Sequence, residues 1–172
     1  MEGRTYTELA PRQRRITWAE LEGLADLLVA RHLGPMARER PFDLLLGVAR
    51  GGMIPACLVA QRLDIRAVLL TSAVYYTGID TRLEAPIIAH FPPDEVLRDR
   101  RLLIVDDVWD SGETLVAVRA RARAVAGCTV ATAVLHHKPG RSAYPLDGPD
   151  AWAERTEDWL RYPWDPGLPA GA

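Results

Sequence analysis

Lysine is nearly missing from this 172-residue chain: Lys138 stands alone among 21 basic residues, and the rest are arginine. An excess of one charge is missing too. Those 21 basic residues face 23 acidic ones for a net charge of −2, which implies no broad polyanion-binding surface and argues against nucleic acid as a partner. No apolar run is long enough to span a bilayer, and the opening Met1-Glu2-Gly3-Arg4 has no signal-peptide apolar region, so no membrane role and a cytoplasmic location are expected. Cysteine is scarce. Cys57 and Cys128 sit far apart inside apolar segments and read as buried free thiols of a reducing compartment. The dinucleotide fingerprint and the Walker loop are both absent, as are internal repeats and low-complexity tracts. What remains, 48% apolar and 26% charged, is the composition of one ordinary globular domain with a substantial core.

Residues 1–15 are polar, carry Arg12, Arg14 and Arg15, and show no periodicity; they read as an arm. Thr17-Trp18-Ala19-Glu20 has the form of a capping box. Leu21, Leu24, Ala25, Leu28 and Val29 follow on one helical face, predicting a helix to about His32 that stops before Gly34-Pro35. A strand over Phe42–Val48 leads through Arg50-Gly51-Gly52 into a helix over Ile54–Leu63, and Arg66–Tyr75 forms a second strand. Residues 77–100, with Gly78, Pro86, Pro92 and Pro93, read as a long flexible loop. Arg101–Val105 is apolar on both faces, as a central parallel strand must be. A helix over Glu113–Ala126 and a strand over Thr129–Leu135 follow. Strands alternating with helices predict an α/β fold, an open, mostly parallel twisted sheet flanked by helices over residues 16–137. After Lys138 the composition turns to Pro, Gly, Asp and Trp, which suggests a small C-terminal hood and tail over 138–172. In such sheets ligands bind at the carboxyl ends of the strands, where both glycine turns and Lys138 fall.

The richest segment runs from Leu102 to Leu115, LLIVDDVWDSGETL. It delivers two carboxylates, Asp106 and Asp107, at a strand end, then a tight turn, then a helix N-terminus whose free amides suit an anion. Ser111 and Thr114 add hydroxyl donors. Carboxylates beside a phosphate repel it unless something hydroxylic or cationic lies between. A sugar diol with Mg²⁺ satisfies that condition, so the loop reads as a binder of a phosphorylated sugar. Gly51 and Gly52 let backbone approach a ligand closely, and Arg50 adds a cation that can bridge phosphate oxygens. Lys138 follows a strand directly and can donate to a carbonyl oxygen on a heterocycle. Arginine is no neutral replacement there. His136 and His137 end a strand with one ring on each face, too few ligands for a metal. Arg119, Arg121 and Arg123 read as solvated, and Trp164 as structural.

The segment from Leu102 to Leu115 resembles the phosphoribosyl pyrophosphate (PRPP) motif of the type I phosphoribosyltransferases, and the Arg50-Gly51 turn resembles their pyrophosphate loop, especially that of the bacterial xanthine–guanine enzymes. A non-proline cis peptide is often found in that loop and would fall near Ala49-Arg50. Lys138-Pro139-Gly140-Arg141 resembles the family's lysine segment that reads a purine 6-oxo group. Glu157 to Asp165 resembles its carboxy-terminal segment, with Trp159 at the stacking position and Leu160 offering backbone groups to the purine edge. The resemblance implies a purine phosphoribosyltransferase of purine salvage that moves the 5-phosphoribosyl group from PRPP to N9 of guanine, xanthine or hypoxanthine and releases pyrophosphate. It implies Arg50, Gly51, Asp106, Asp107, Ser111, Gly112, Glu113 and Thr114 as PRPP-binding residues, with Asp106 and Asp107 at Mg²⁺. Asp110 is the expected general base, Lys138, Trp159 and Leu160 the base-binding residues, and loop 77–100 a cover against water. A homodimer or homotetramer is implied as well. The alternative is a non-catalytic regulatory PRPP-binding protein of the same fold. A phospho-acceptor receiver domain also uses paired acids and a later lysine, but leaves Ser111-Gly112 without a role.

Overall fold

The computed structural model describes residues 12–74, 77–78, 81–82 and 86–165. Six strands form the central sheet: β2 (Leu44–Ala49), β3 (Val68–Val74), β6 (Ile87–His90), β7 (Arg101–Trp109), β8 (Thr129–His137) and β9 (Ala151–Arg155). Their order is β6-β3-β2-β7-β8-β9, and every pairing is parallel except that of β6 with β3. A two-stranded parallel ribbon joins β1 (Gln13–Arg15) to β10 (Trp159–Arg161), and β4 (Thr77–Gly78) pairs with β5 (Thr81–Arg82). The predicted architecture is the observed one.

The period of two along the strands builds two cores. Leu45, Leu103, Val105, Ala131 and Ala133 turn toward α1 (Trp18–Leu28) and α3 (Met53–Arg62). Leu44, Leu46, Val48, Leu102 and Ile104 turn the other way, toward α5 (Glu113–Arg123). Burial on both faces explains why these strands read as unbroken apolar runs. The Thr17 box is formed: its hydroxyl accepts the Glu20 amide at 3.2 Å, and the Glu20 carboxylate takes the Thr17 amide at 2.8 Å.

Six expectations need correction. The first helix does not stop before Gly34-Pro35; it widens into a π turn over Val29–Leu33 and continues as α2 (Gly34–Glu39). The Gly34 amide reaches the Val29 carbonyl, and Pro35 stands at the start of the new segment, where a missing N–H costs nothing. The expected loop 77–100 contains β4, β5, β6 and a short α4 (Asp94–Leu97), because β6 covers the edge of β3 and Leu97 is fully buried. Strand β7 runs on to Trp109, so both acids lie inside it, and β8 passes the predicted Leu135 to end on His136 and His137, the two histidines expected at a strand end. Cys57 is exposed on α3, whereas Cys128 is buried; both are free thiols. Arg119 is buried, not solvated, held by the Asp147 carboxylate and the Gly148 carbonyl. The segment after Lys138 also gives the central sheet its edge strand β9. Residues 1–11 of the arm, Tyr75 at the end of the second predicted strand, and residues 166–172 of the tail lie outside the described residues. Among the described residues, no helix is long and apolar enough to cross a membrane.

Candidate active site

Everything with chemistry gathers at the carboxyl ends of β2, β7 and β8. The turn after β2 carries Arg50 and Gly51, and the Ala49–Arg50 peptide is cis, where the resemblance had placed it. Gly51 fits because a side chain there would overlap the Asp107 carboxylate, and Gly52 because a Cβ would meet the main-chain oxygens of Val105 and Val48. The Arg50 guanidinium is exposed, with no ion-pair partner among the described residues. It shares a cleft of ≈ 550 Å³ with Gly51, Met53, Ile54, Asp107, Trp164 and Asp165.

Asp106 and Asp107 stand at the back of this site. Asp106 is buried and its carboxylate accepts the Asp107 amide at 2.9 Å. Burial, then the neighbouring Asp107 charge, pushes the Asp106 carboxyl well above the usual carboxylate range. Burial likewise pushes Asp107 up to about 6. Neither acid has a cationic partner among the described residues. Two adjacent, desolvated oxygen donors without a counter-charge suit a hard divalent cation. Among the described residues no group of three His, Cys, Asp or Glu side chains could cage a metal. Two adjacent carboxylates are a donor set compatible with Mg²⁺, which is commonly held by one or two carboxylates and completed by substrate phosphates.

Beyond β7, Gly112 takes φ +86° and starts α5. A Cβ there would collide with the indole of Trp109, which is fully buried and donates through Nε1 to Ser142 Oγ at 3.0 Å. The first-turn amides of α5 have no intrahelical carbonyl to bind, as an anion cup requires. A hollow of ≈ 240 Å³ opens there, lined by Asp106 through Gly112 with Thr114 and Leu115. Glu113 folds back over the loop and accepts the Ser111 hydroxyl at 2.9 Å, so that proton is held internally in this conformer.

The segment after β8 is stapled onto the same loop. The Lys138 amide donates to the Trp109 carbonyl and the Ala143 amide to the Ser111 carbonyl, both at 2.9 Å. Asp110 meets Arg141 Nε at 2.5 Å and Lys138 Nζ at 3.6 Å. The Lys138 side chain is buried, and its ammonium lies 5.7 Å from the ring centre of Trp159, which is 48% exposed. Leu160 turns its side chain onto the core, leaving its backbone as what it could offer a ligand.

The structure thus unites Arg50, Gly51, Asp106 and Asp107 with the Ser111–Thr114 loop, and Asp110 with Lys138 and Trp159. Trp164 packs against the core and on Tyr162, as a structural residue does, and with Asp165 it also lines the cleft, a role the sequence reading does not give it. The signal for them is the Tyr162-Pro163-Trp164-Asp165 turn directly after the base segment. His136 and His137 do point to opposite faces, one onto Tyr162 and the other between Trp109 and Trp152. A further cavity of ≈ 490 Å³, near Pro41, Phe42, Leu63 and Ile65, lies at the amino end of β2 and holds none of these groups.

Comparison with known proteins agrees with this geometry. The phosphoribosyl transferase domain model matches residues 19–170. The chain is 31% identical over 157 residues to the xanthine–guanine phosphoribosyltransferase of Roseobacter denitrificans, covering 89% of this chain and 85% of that protein. A purine phosphoribosyltransferase from Pyrococcus horikoshii superimposes with a TM-score of 0.74 at 30% identity, over 91% of this chain and 96% of that one. The xanthine–guanine–hypoxanthine phosphoribosyltransferase of Helicobacter pylori shares the fold at 21% identity with a TM-score of 0.74, over 89% of this chain and 94% of that one.

Proposed function

The chain belongs to the type I phosphoribosyltransferases, among their purine-type members, and from that premise we propose that it transfers the 5-phosphoribosyl group of PRPP to N9 of a 6-oxopurine and releases pyrophosphate. One observation carries the reading. Asp110, the acid directly before Ser111 of the phosphate loop, lies 3.6 Å from the Lys138 ammonium, which itself sits over the Trp159 ring. A sugar-phosphate cup and a cationic, aromatic seat for a flat heterocycle are therefore contiguous.

In this reading the α5 first-turn amides, with Ser111 and Thr114, anchor the 5′-phosphate, so the sugar stays fixed while C1′ moves toward the base. Asp106 and Asp107 accept the ribose hydroxyls, and Arg50 with the turn at Gly51 holds the diphosphate. The same two acids would hold Mg²⁺, which when bound neutralises charge on the diphosphate. Asp110 takes the N7 proton of the purine. Lys138 turns from Asp110 to the 6-oxo group, and Trp159 stacks on the ring. Adenine presents an amino donor where Lys138 also donates, leaving a buried charge unpaired, a mismatch that discriminates strongly.

The test is pyrophosphate release from PRPP and Mg²⁺ with guanine, xanthine, hypoxanthine, adenine or no base. Release that depends on a 6-oxopurine supports the reading. No release with any of the four bases, from protein that binds PRPP, would favour the non-catalytic alternative.

A further inference from the structure

One buried hydrogen-bonded chain runs from His136 through Tyr162 and ends on the main chain of Asp107. Tyr162 is only 6% exposed. Its ring lies flat on Trp164, with centroids 4.7 Å apart and planes 3° apart, and Trp164 lines the cleft beside Arg50 and Asp107. The Tyr162 amide is fixed by the Asp165 carboxylate at 2.7 Å. Its hydroxyl donates to the main-chain carbonyl of Asp107 at 3.1 Å and lies 2.8 Å from Nδ1 of His136.

A phenol has one proton to give, and here it goes to the Asp107 carbonyl. His136 Nδ1 must then carry a hydrogen and donate to the phenolic oxygen, which leaves Nε2 as the bare nitrogen of a neutral ring. Nε2 is buried without a partner, and burial holds the ring neutral, lowering its pKa to about 4. The ladder between β2 and β7 ends at the Gly47–Val105 pair, two residues before Asp107. The anchor falls on the β2 side of β7, beyond the end of that ladder, while β8 stays paired with β7 as far as Trp109.

We propose that Tyr162, backed by His136, is a positioning residue for Asp107. Its hydroxyl fixes the peptide that aims the Asp107 carboxylate into the cleft, and so sets affinity for the magnesium–diphosphate end of PRPP. Trp159 and Lys138, which face the base, are left where they are. This rests on the phosphoribosyltransferase reading above.

The test is calorimetric titration of Mg²⁺–PRPP into the wild-type protein, Tyr162→Phe and His136→Asn, with the KM of each substrate and the melting temperature of each variant. The wild-type arm reports on the parent reading alone; absence of heat there overturns that reading and this proposal with it. Tyr162→Phe keeps the ring and its stack. Against a binding wild type, its PRPP Kd rises about tenfold while the KM for the base stays within about twofold. The His136→Asn amide can stand where Nδ1–H donates, so that variant stays within about threefold of wild type for PRPP. An unchanged PRPP Kd in folded Tyr162→Phe overturns the proposal. So does equal weakening of both substrates, which a merely structural role would produce. Weakening by His136→Asn as large as that by Tyr162→Phe overturns the assignment of Nδ1–H as the donor that backs the hydroxyl.

Discussion

Gly51 is pressed so closely against Asp107 that a methyl group at residue 51 would occupy the space of the Asp107 carboxylate. The turn after β2 and the acid end of β7 are thereby packed closely, with no room for a side chain between them.

Gly51→Ala must displace one or the other. Overpacking of this kind costs about 1–3 kcal/mol of stability, and because the group displaced is the Asp107 carboxylate, Mg²⁺–PRPP binding should weaken roughly tenfold. Calorimetry beside a thermal melt checks this. Wild-type affinity in the variant would mean that this close packing does not govern the site.

Asp110→Asn keeps the phosphate cup and both β7 acids. PRPP should bind within about threefold of wild type while turnover falls by roughly 10²–10⁴, the usual worth of a general base. Single-turnover pyrophosphate release separates the two effects. Unchanged turnover removes Asp110 from the proton-transfer role.

Lys138→Ala should raise the KM for the base well above any change in the KM for PRPP. Lys138→Arg should not restore it, because a planar fork cannot replace a point donor buried over Trp159. Steady-state kinetics with both substrates varied decides it, and parallel shifts in the two constants would contradict the assignment.

Much of this site is legible in the amino-acid order because it is local. The two acids, the glycine turn and the helix start lie within LLIVDDVWDSGETL, where a strand end and a helix N-terminus follow from adjacent residues. Lys138 stands out because the chain uses arginine everywhere else. Contacts made at long range are not legible. Arg119 looks solvated by its helical spacing, yet Asp147, 28 residues later, comes back to bind it. The loop 77–100 looks irregular because β6 is a short edge strand that gains its partner only in β3. Nothing near Tyr162 announces that its hydroxyl reaches a carbonyl 55 residues away.

His136 gives a pH signature. Its ordinary pKa of 6.5 falls to about 4 in the folded protein, chiefly through burial. As pH falls the unfolded chain takes the proton first. The contribution is therefore complete above about pH 6.5, shrinks below it, and is fully lost once pH has fallen through about 4, a total of roughly 3 kcal/mol. Asp107, raised from 3.8 to about 6, works in the opposite sense over much the same range, because its folded form takes the proton first. Urea unfolding of wild type against His136→Asn isolates the histidine. Their stability difference should be constant above pH 7 and should move against wild type between about pH 6 and 4. A difference independent of pH would show that the buried ring does not titrate this way.

A contiguous seat for a ribosyl phosphate and a 6-oxopurine underlies the proposed activity. The most direct measurement gives the protein Mg²⁺, PRPP and an equal mixture of guanine and adenine, and follows both bases and their nucleotides with time. The prediction is guanosine monophosphate formed in step with PRPP loss while adenine remains. Equal consumption of both bases, or intact PRPP alongside well-folded protein, would contradict it.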